Sequence, residues 1–526
     1  MTREDEGEAR SPLMRGRGAS IGNEFAINPM PLLSSTEEEA DIAIFSPSRT
    51  IGIVEGISLV VGMIVGSGIF SSPGNIVSLT GSAGASLLIW IVGGSLAWMG
   101  ASCFAELGTA LPVSGGPQAY LSYAYGPLTS FTFTFTSISI IKPSGAALIA
   151  IIFGEYVARF FYLLGSNEVL SSNDIPSWIS RLVACLGVLL VSLINIISTR
   201  LLTRTQTVLM VIKIAAVLLV VVLGVIAAVR SPDQIFPPSK ALEGTKVSPS
   251  SIALALYSSL WAFDGWDQSN YVAGEMKNVE RNLPIVIHTS IPLTIIIFLL
   301  ANIAYLIAIP VNLVAKSNTI ALDLGDVVLG NVGSGLLTCL VAVSTLGALT
   351  SGSFTTSRLI SSAASSNSEA GFLPQALGAF NKRTQTPVNA IVLQLVLTCV
   401  YIIIGGGFQS LVNFYSVAIW YFYLLCALSV IVLRMKEPDL HRPYKTWIAI
   451  PMIFSSVTIF LLCMPVFAAP LEAAAAFGFI ALSVPVYFIS NYIKFRKVDI
   501  VNHIPAIIRN KFKKTYKPLS SEMQEF

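Results

Sequence analysis

The chain has 526 residues, of which 54% are hydrophobic and only 12% charged, with a mean hydropathy of +0.73. An ordinary soluble domain carries roughly 25% charged residues, so a soluble protein is excluded. A net charge of +3, with Lys and Arg spread over alternate loops, gives no basic patch for nucleic acid.

Residues 1–50 contain "TREDEGEARS" and "STEEEAD", which interrupt any apolar signal-peptide core and point to a disordered tail. A helix crosses a bilayer in about 20 apolar residues. Twelve such stretches follow, near 51–80, 83–109, 118–160, 178–197, 202–229, 251–274, 283–308, 333–364, 387–406, 409–434, 445–467 and 471–494. The expected fold is therefore an all-α polytopic membrane protein, with the membrane domain over 51–494 and a basic tail over 495–526. With the N-terminus in the cytoplasm, the inner loops hold eleven Lys and Arg, Arg200, Lys277, Arg358 and Arg434 among them. The outer loops hold four, or six with Arg159 and Arg181. This bias puts both termini in the cytoplasm.

The first stretch, "VVGMIVGSGIF", places Gly66, Ser67 and Gly68 inside an apolar span. Small residues there permit either close helix packing or a break in the helix. The sixth stretch, "LYSSLWAFDGWDQSNYVAGEM", is interrupted in the same way at Asp264 and Gly265. Five helices separate the two interruptions. Spans one to five and six to ten are thus expected to form a 5+5 inverted repeat with broken helices 1 and 6, and helices 11 and 12 appended. Unwound turns free N–H groups for an anion beside a helix N-terminus and C=O groups for a cation. At mid-membrane depth they are tolerable where they line a cavity or are buried in protein. A ligand with both charges, an α-amino acid, suits both sets of groups.

The six cysteines lie in predicted spans without CxxC spacing, and the three histidines are scattered. No metal site, cofactor or catalytic cluster is expected, and the histidines are read as helix-end or surface residues. An enzyme is not expected, because no span pairs a nucleophile with a base.

The motifs "GMIVGSGIF" with "SSPG" behind it, "FAELGTALPVSGG", "DGWDQSNYVAGEMKNVERNLP", "SGSFTTSRL" and "GFLPQAL" leading to "NKRTQTP" occur in this order along the chain. Together they resemble the amino acid, polyamine and organocation superfamily, in particular its L-type amino acid transporter branch, the light-chain-like permeases. The sixth-span sequence is similar to that of fungal relatives, methionine permeases included. The resemblance implies amino acid transport by alternating access. It implies a substrate carboxylate at the N–H groups of Ser67, Gly68 and Ile69, and an amino group at carbonyls near Ile64, Trp261 and Asp264, with Gly265 in the sixth break. Trp261 falls where the family places an outer gate, the alternative being an ordinary packing Trp.

Lys213 sits in the middle of the fifth span, where an ammonium must face protein or water. The resemblance puts it where sodium-coupled relatives bind a cation, with first-helix carbonyls as acceptors, which implies sodium independence. The alternative is a lysine snorkelling to the inner face. Asp264 either balances a cationic side chain, widening selectivity from neutral towards dibasic amino acids, or caps a half-helix N-terminus. Glu106, near the inner face, is expected in a gate network with Lys or Arg; Glu55 and Asp267 either join it or reach water. Lys142 stands beside Pro143, where a kink would give it a polar pocket. The heteromeric members of the branch bind a heavy-chain glycoprotein through a cysteine between helices three and four. The loop "LLGSNEVLSSNDIPSW" has none, so a covalent heavy chain is not expected. A plasma-membrane permease is the leading reading, and a non-transporting amino acid receptor the alternative.

Overall fold

The computed structural model describes residues 49 and 51–503, other than 114, 166–175, 198, 231–239, 247, 365–372, 374, 380, 382–383 and 385. Most of both expected tails, the bulk of the cysteine-free loop and the basic residues Lys382 and Arg383 lie outside the described residues.

The helices run in chain order as α1 (Ile53–Ile64), α2 (Gly68–Thr80), α3 (Ala83–Ala110), α4 (Pro117–Tyr125), α5 (Pro127–Thr136), α6 (Lys142–Gly165), α7 (Ser177–Ile197), α8 (Thr199–Arg230), α9 (Pro249–Ala262) and α10 (Gln268–Tyr271). They continue as α11 (Val279–Ala308), α12 (Val311–Val314), α13 (Ile320–Leu329), α14 (Asn331–Ala364), α15 (Gln375–Gly378), α16 (Val388–Ile404), α17 (Phe408–Lys436), α18 (Ala449–Cys463), α19 (Pro465–Ala468) and α20 (Pro470–His503). Among the described residues the only β pairing is an isolated parallel bridge between Ile51 and Met276. Among the described residues nine helices are long and apolar enough to cross a membrane, and the pair α1–α2, bent by 42°, makes a tenth as one broken span. The protein is therefore a multi-pass, all-helical membrane protein. α9 has 14 residues and α16 has 17, both short of the usual crossing length.

The third stretch differs from expectation. Residues 118–160 are not one helix: α4 ends at Tyr125, and the span proper begins at Pro127. Within it a π-helical turn, Ser137–Ile141, joins α5 to α6. Pro143 explains it, because proline has no N–H for the carbonyl four residues earlier. That carbonyl, Ser139 O, instead accepts the hydroxyl of Tyr401 on α16 (3.0 Å). The turn sits just before Lys142, as π-bulges often do near functional groups.

The core is built around α1, α2, α9 and α10, which are sheathed by α3, α6, α8, α11, α14 and α17. Burial follows position in the bundle. The windows of α5–α6 and α17 are 72% and 67% buried, whereas that of α20 is 22% buried and exposes Leu471, Phe488 and Ile489, suiting it to face lipid. His288, expected at a helix end or surface, lies inside α11. Its Nδ1 accepts from Trp98 Nε1 (2.9 Å) and its Nε2 meets the Tyr444 hydroxyl (2.8 Å).

Candidate functional site

The helical ladder stops at Ile64 and restarts at Gly68. In between, Gly66 N–H bonds back to Ile64 O (2.7 Å) and Phe70 N–H to Ser67 O (3.1 Å). The N–H groups of Ser67, Gly68 and Ile69 meet no backbone acceptor among the described residues. They open the N-terminus of α2, where the helix dipole favours an anion. The sixth span stops at Ala262. Asp264 N–H turns back to Trp261 O (3.0 Å), and Gly265 takes φ +111°, a backbone conformation that favours glycine.

The two breaks touch. A Cβ on Gly68 would overlap Ala262 Cα, and one on Gly265 would overlap Met63 Cγ and stand 2.8 Å from Met63 Cβ. Only a missing side chain allows backbones this close. Between them lies a cavity lined by Ile64, Ser67, Gly68, Trp261 and Asp264, and by residues of α6, α14, α16 and α17. Its volume is about 50 Å³, against the roughly 150 Å³ that holds a benzene ring. The site is therefore drawn in around a small space and must widen to take an amino acid. Of the expected site residues, Ile69 and Gly265 lie beside this lining rather than in it, and Lys213 and Glu106 lie away from it.

Lys213 of α8 is 1% exposed, and its ammonium donates to Gly62 O on α1 while its stem packs on Gly347 of α14. Ser344, also on α14, donates to Val65 O (3.2 Å) and Gly66 O (3.1 Å). The carbonyl end of α1 is thus held by one cation and one hydroxyl, and Lys213 turns to the interior rather than to the inner face.

Trp261 is 6% exposed and meets Phe408 edge-on, ring centroids 5.3 Å apart. Next to it Asn75 of α2 donates to Ser258 Oγ and Gln409 Oε1 (2.5 Å each), and Gln409 donates to Asn413 Oδ1 (3.0 Å). This amide cluster ties α2, α9 and α17 together. Asp264 accepts the Tyr415 hydroxyl (2.8 Å) and borders the cavity. Asp267, expected in an ion-pair network or water, is in neither: it is buried and held by Tyr423 (3.1 Å) and Gln268 (3.1 Å).

Glu106 of α3 accepts Arg434 Nε (2.9 Å) and Nη2 (2.5 Å) and the Thr446 N–H (2.9 Å), with Arg442 Nε at 3.7 Å. A bidentate pair of this kind fixes geometry as well as charge. Glu55 accepts the Gly52 N–H at the start of α1 (3.0 Å). A second ion pair, Arg358–Glu275 (3.1 Å), flanks the Ile51–Met276 bridge.

Sequence reasoning assigned no role to Lys142 and none at all to Gln394, Thr355, Thr356 and Tyr415, which also line the cavity. A signal for Gln394 existed: with Thr398 it forms a polar i, i+4 pair on the mostly apolar α16.

Two helices broken at facing points around a closed-in cavity, within a bundle of membrane-crossing helices, define a membrane carrier for a small solute. The chain belongs to the amino acid permease family, whose sequence pattern it matches over residues 51–489. It is similar to the b(0,+)-type amino acid transporter 1 of Mus musculus, 36% identical over 86% of this chain and 89% of that protein. It is also similar to the cystine/glutamate transporter of Homo sapiens, at 33% over 84% and 85%, and to the large neutral amino acids transporter small subunit 2 of Mus musculus, at 31% over 90% and 88%. The protein is an amino acid permease, which decides for a transporter against an enzyme or a non-transporting receptor.

Proposed function

We propose that this permease moves L-amino acids, neutral and also cationic, across the plasma membrane by alternating access, without sodium. The observation that carries the proposal is the contact of the two breaks, Gly68 on Ala262 and Gly265 on Met63, beside the cavity. In this reading the carboxylate of the substrate binds the free N–H groups of Ser67, Gly68 and Ile69. Its amino group binds carbonyls of Ile64, Trp261 and Asp264, and Trp261 closes over the side chain against Phe408.

Twelve crossings result when the nine long helices are joined by α1–α2, by the broken run α9–α10 and by α16. The inverted repeat then covers α1–α8 and α9–α17, with α18–α20 appended. The bundle with the broken helices rocks against a scaffold containing α6 and α14. Lys213 stands in for a bound cation between α1, α8 and α14, supplying in covalent form the charge that sodium brings in coupled carriers. Glu106 with Arg434 and Arg442 closes the cytoplasmic side, Asn75 with Gln409 the outer side. Both tails, 1–50 and 495–526, face the cytoplasm, and no covalent heavy chain is needed.

Counterflow of labelled amino acid into proteoliposomes of purified protein tests this reading. Uptake against preloaded unlabelled leucine or arginine should occur equally in sodium and in choline buffer. A strict sodium requirement would overturn the role given to Lys213, and no counterflow with any amino acid would overturn the site.

A further inference from the structure

One lining residue comes from outside the broken helices: Gln394 belongs to α16, which packs on α6, α7 and α14. Gln394 is 6% exposed, and its Oε1 is buried with no donor. On the sixth-span side, Gln268 also lines the cavity, 3% exposed, and its Oε1 is likewise buried and unmatched. The orientation of that amide is set chemically: its nitrogen donates to Asp267 Oδ1 (3.1 Å), and a carboxylate can only accept. The oxygen must therefore turn away from Asp267.

Asp264 borders the same space and accepts the Tyr415 hydroxyl (2.8 Å). The one cation in the lining, Lys142, lies over the face of Tyr271, 4.3 Å from the ring centroid, and forms no ion pair among the described residues. The wall thus presents two amide oxygens that no protein donor meets, beside a carboxylate. Buried acceptors without donors are unfavourable and uncommon in a finished core.

We propose that Gln268 and Gln394, with Asp264, form a subsite for the tip of the substrate side chain, and that it takes tips rich in N–H donors: ammonium, guanidinium or carboxamide. The inference rests on amino acid transport through this cavity and adds to it the chemistry at the side-chain tip. A substrate with an apolar tip leaves both oxygens unmatched; one with an N–H tip satisfies them.

Lysine and norleucine share a carbon skeleton and differ at the tip. The test is counterflow of labelled norleucine in proteoliposomes of the full chain, competed by unlabelled lysine, glutamine and norleucine. In the unaltered protein lysine and glutamine should compete at least as well as norleucine. Gln394→Met and Gln268→Met should each raise the half-inhibitory concentration of lysine relative to norleucine by roughly tenfold or more, the loss of one hydrogen bond to a charged donor. Gln394→Glu should lower that ratio. Where a Met variant fails to reach the membrane, Gln394→Asn, which withdraws the oxygen but keeps the amide, should shift the ratio in the same direction by a smaller factor. Ratios within twofold of the original in the variants would mean that the oxygens hold only water, and lysine failing to compete in the unaltered protein would equally overturn the subsite. Absence of norleucine counterflow in the unaltered protein would instead defeat the transport reading itself.

Discussion

The two interruptions solve the same problem with different means. In the first, three small residues open the chain by 42° and offer only backbone, with no ionisable side chain between Val65 and Gly68. In the second, the opening runs from Phe263 to Asp267 and carries two carboxylates, each clasped by a tyrosine of α17. Peptide groups are identical along any chain, so the first break can recognise only what all amino acids share. The second has side chains beside the cavity, and these can tell one substrate from another. In the reading proposed above, both breaks lend backbone groups to the part all amino acids share, and only the second adds side chains that would distinguish one substrate from another.

Changes at the first break should therefore affect all substrates alike. Gly68→Val has the largest expected effect, because its Cβ would overlap Ala262 and hold the breaks apart. Counterflow should fall by about 100-fold or more for leucine and arginine together, while fluorescence-monitored gel filtration shows protein still in the membrane fraction. Lys213→Ala comes next: Gly62 O loses its charged donor, and uptake of every substrate should drop about tenfold. If sodium restores part of that loss, the cation-replacement role of Lys213 is supported; if uptake is unchanged, that role is lost.

Changes at the second break should alter ratios. Asp264→Asn keeps an acceptor for Tyr415 and removes the charge, so lysine should lose about three- to tenfold relative to leucine in competition assays. An equal effect on both would assign Asp264 to helix capping alone and erase the contrast between the breaks. The smallest effect is expected at the rim shared by both: Asn75→Ala removes the bonds to Ser258 and Gln409 and should change the half-saturating concentration only about two- to threefold, measured by initial uptake rates.

Local patterns were legible to the extent that their causes are local. Small residues at 66–68 and the Asp-Gly pair at 264–265 announce interrupted spans because they weaken an apolar helix, and Lys213 within an apolar run announces a buried partner. The break after Tyr125 was not legible as a separation of two helices, since the hydropathy of 118–160 never drops far enough to end a span. The π turn could be suspected from Pro143, but not that Tyr401, 258 residues on by sequence numbering, would take the freed carbonyl. Gln394 escaped for a related reason: a polar residue on a mostly apolar helix has many possible neighbours until the helices pack. Asp267 was misplaced because sequence suggests water or a charged partner for such a group, whereas packing supplied hydroxyl and amide partners.

The amino-acid order alone determined that the chain lives in a bilayer, roughly where its long apolar helices lie, and that the first and sixth stretches are interrupted. These follow from solvation of the nearest atoms, which is a property of short segments. Only the tertiary structure decided that Gly68 meets Ala262, that Lys213 reaches Gly62, that Arg434 clasps Glu106, and that glutamines 268 and 394 border one hollow. Those contacts join residues more than a hundred positions apart, and their geometry depends on how ten or more helices pack at once rather than on any property of the segments that carry them.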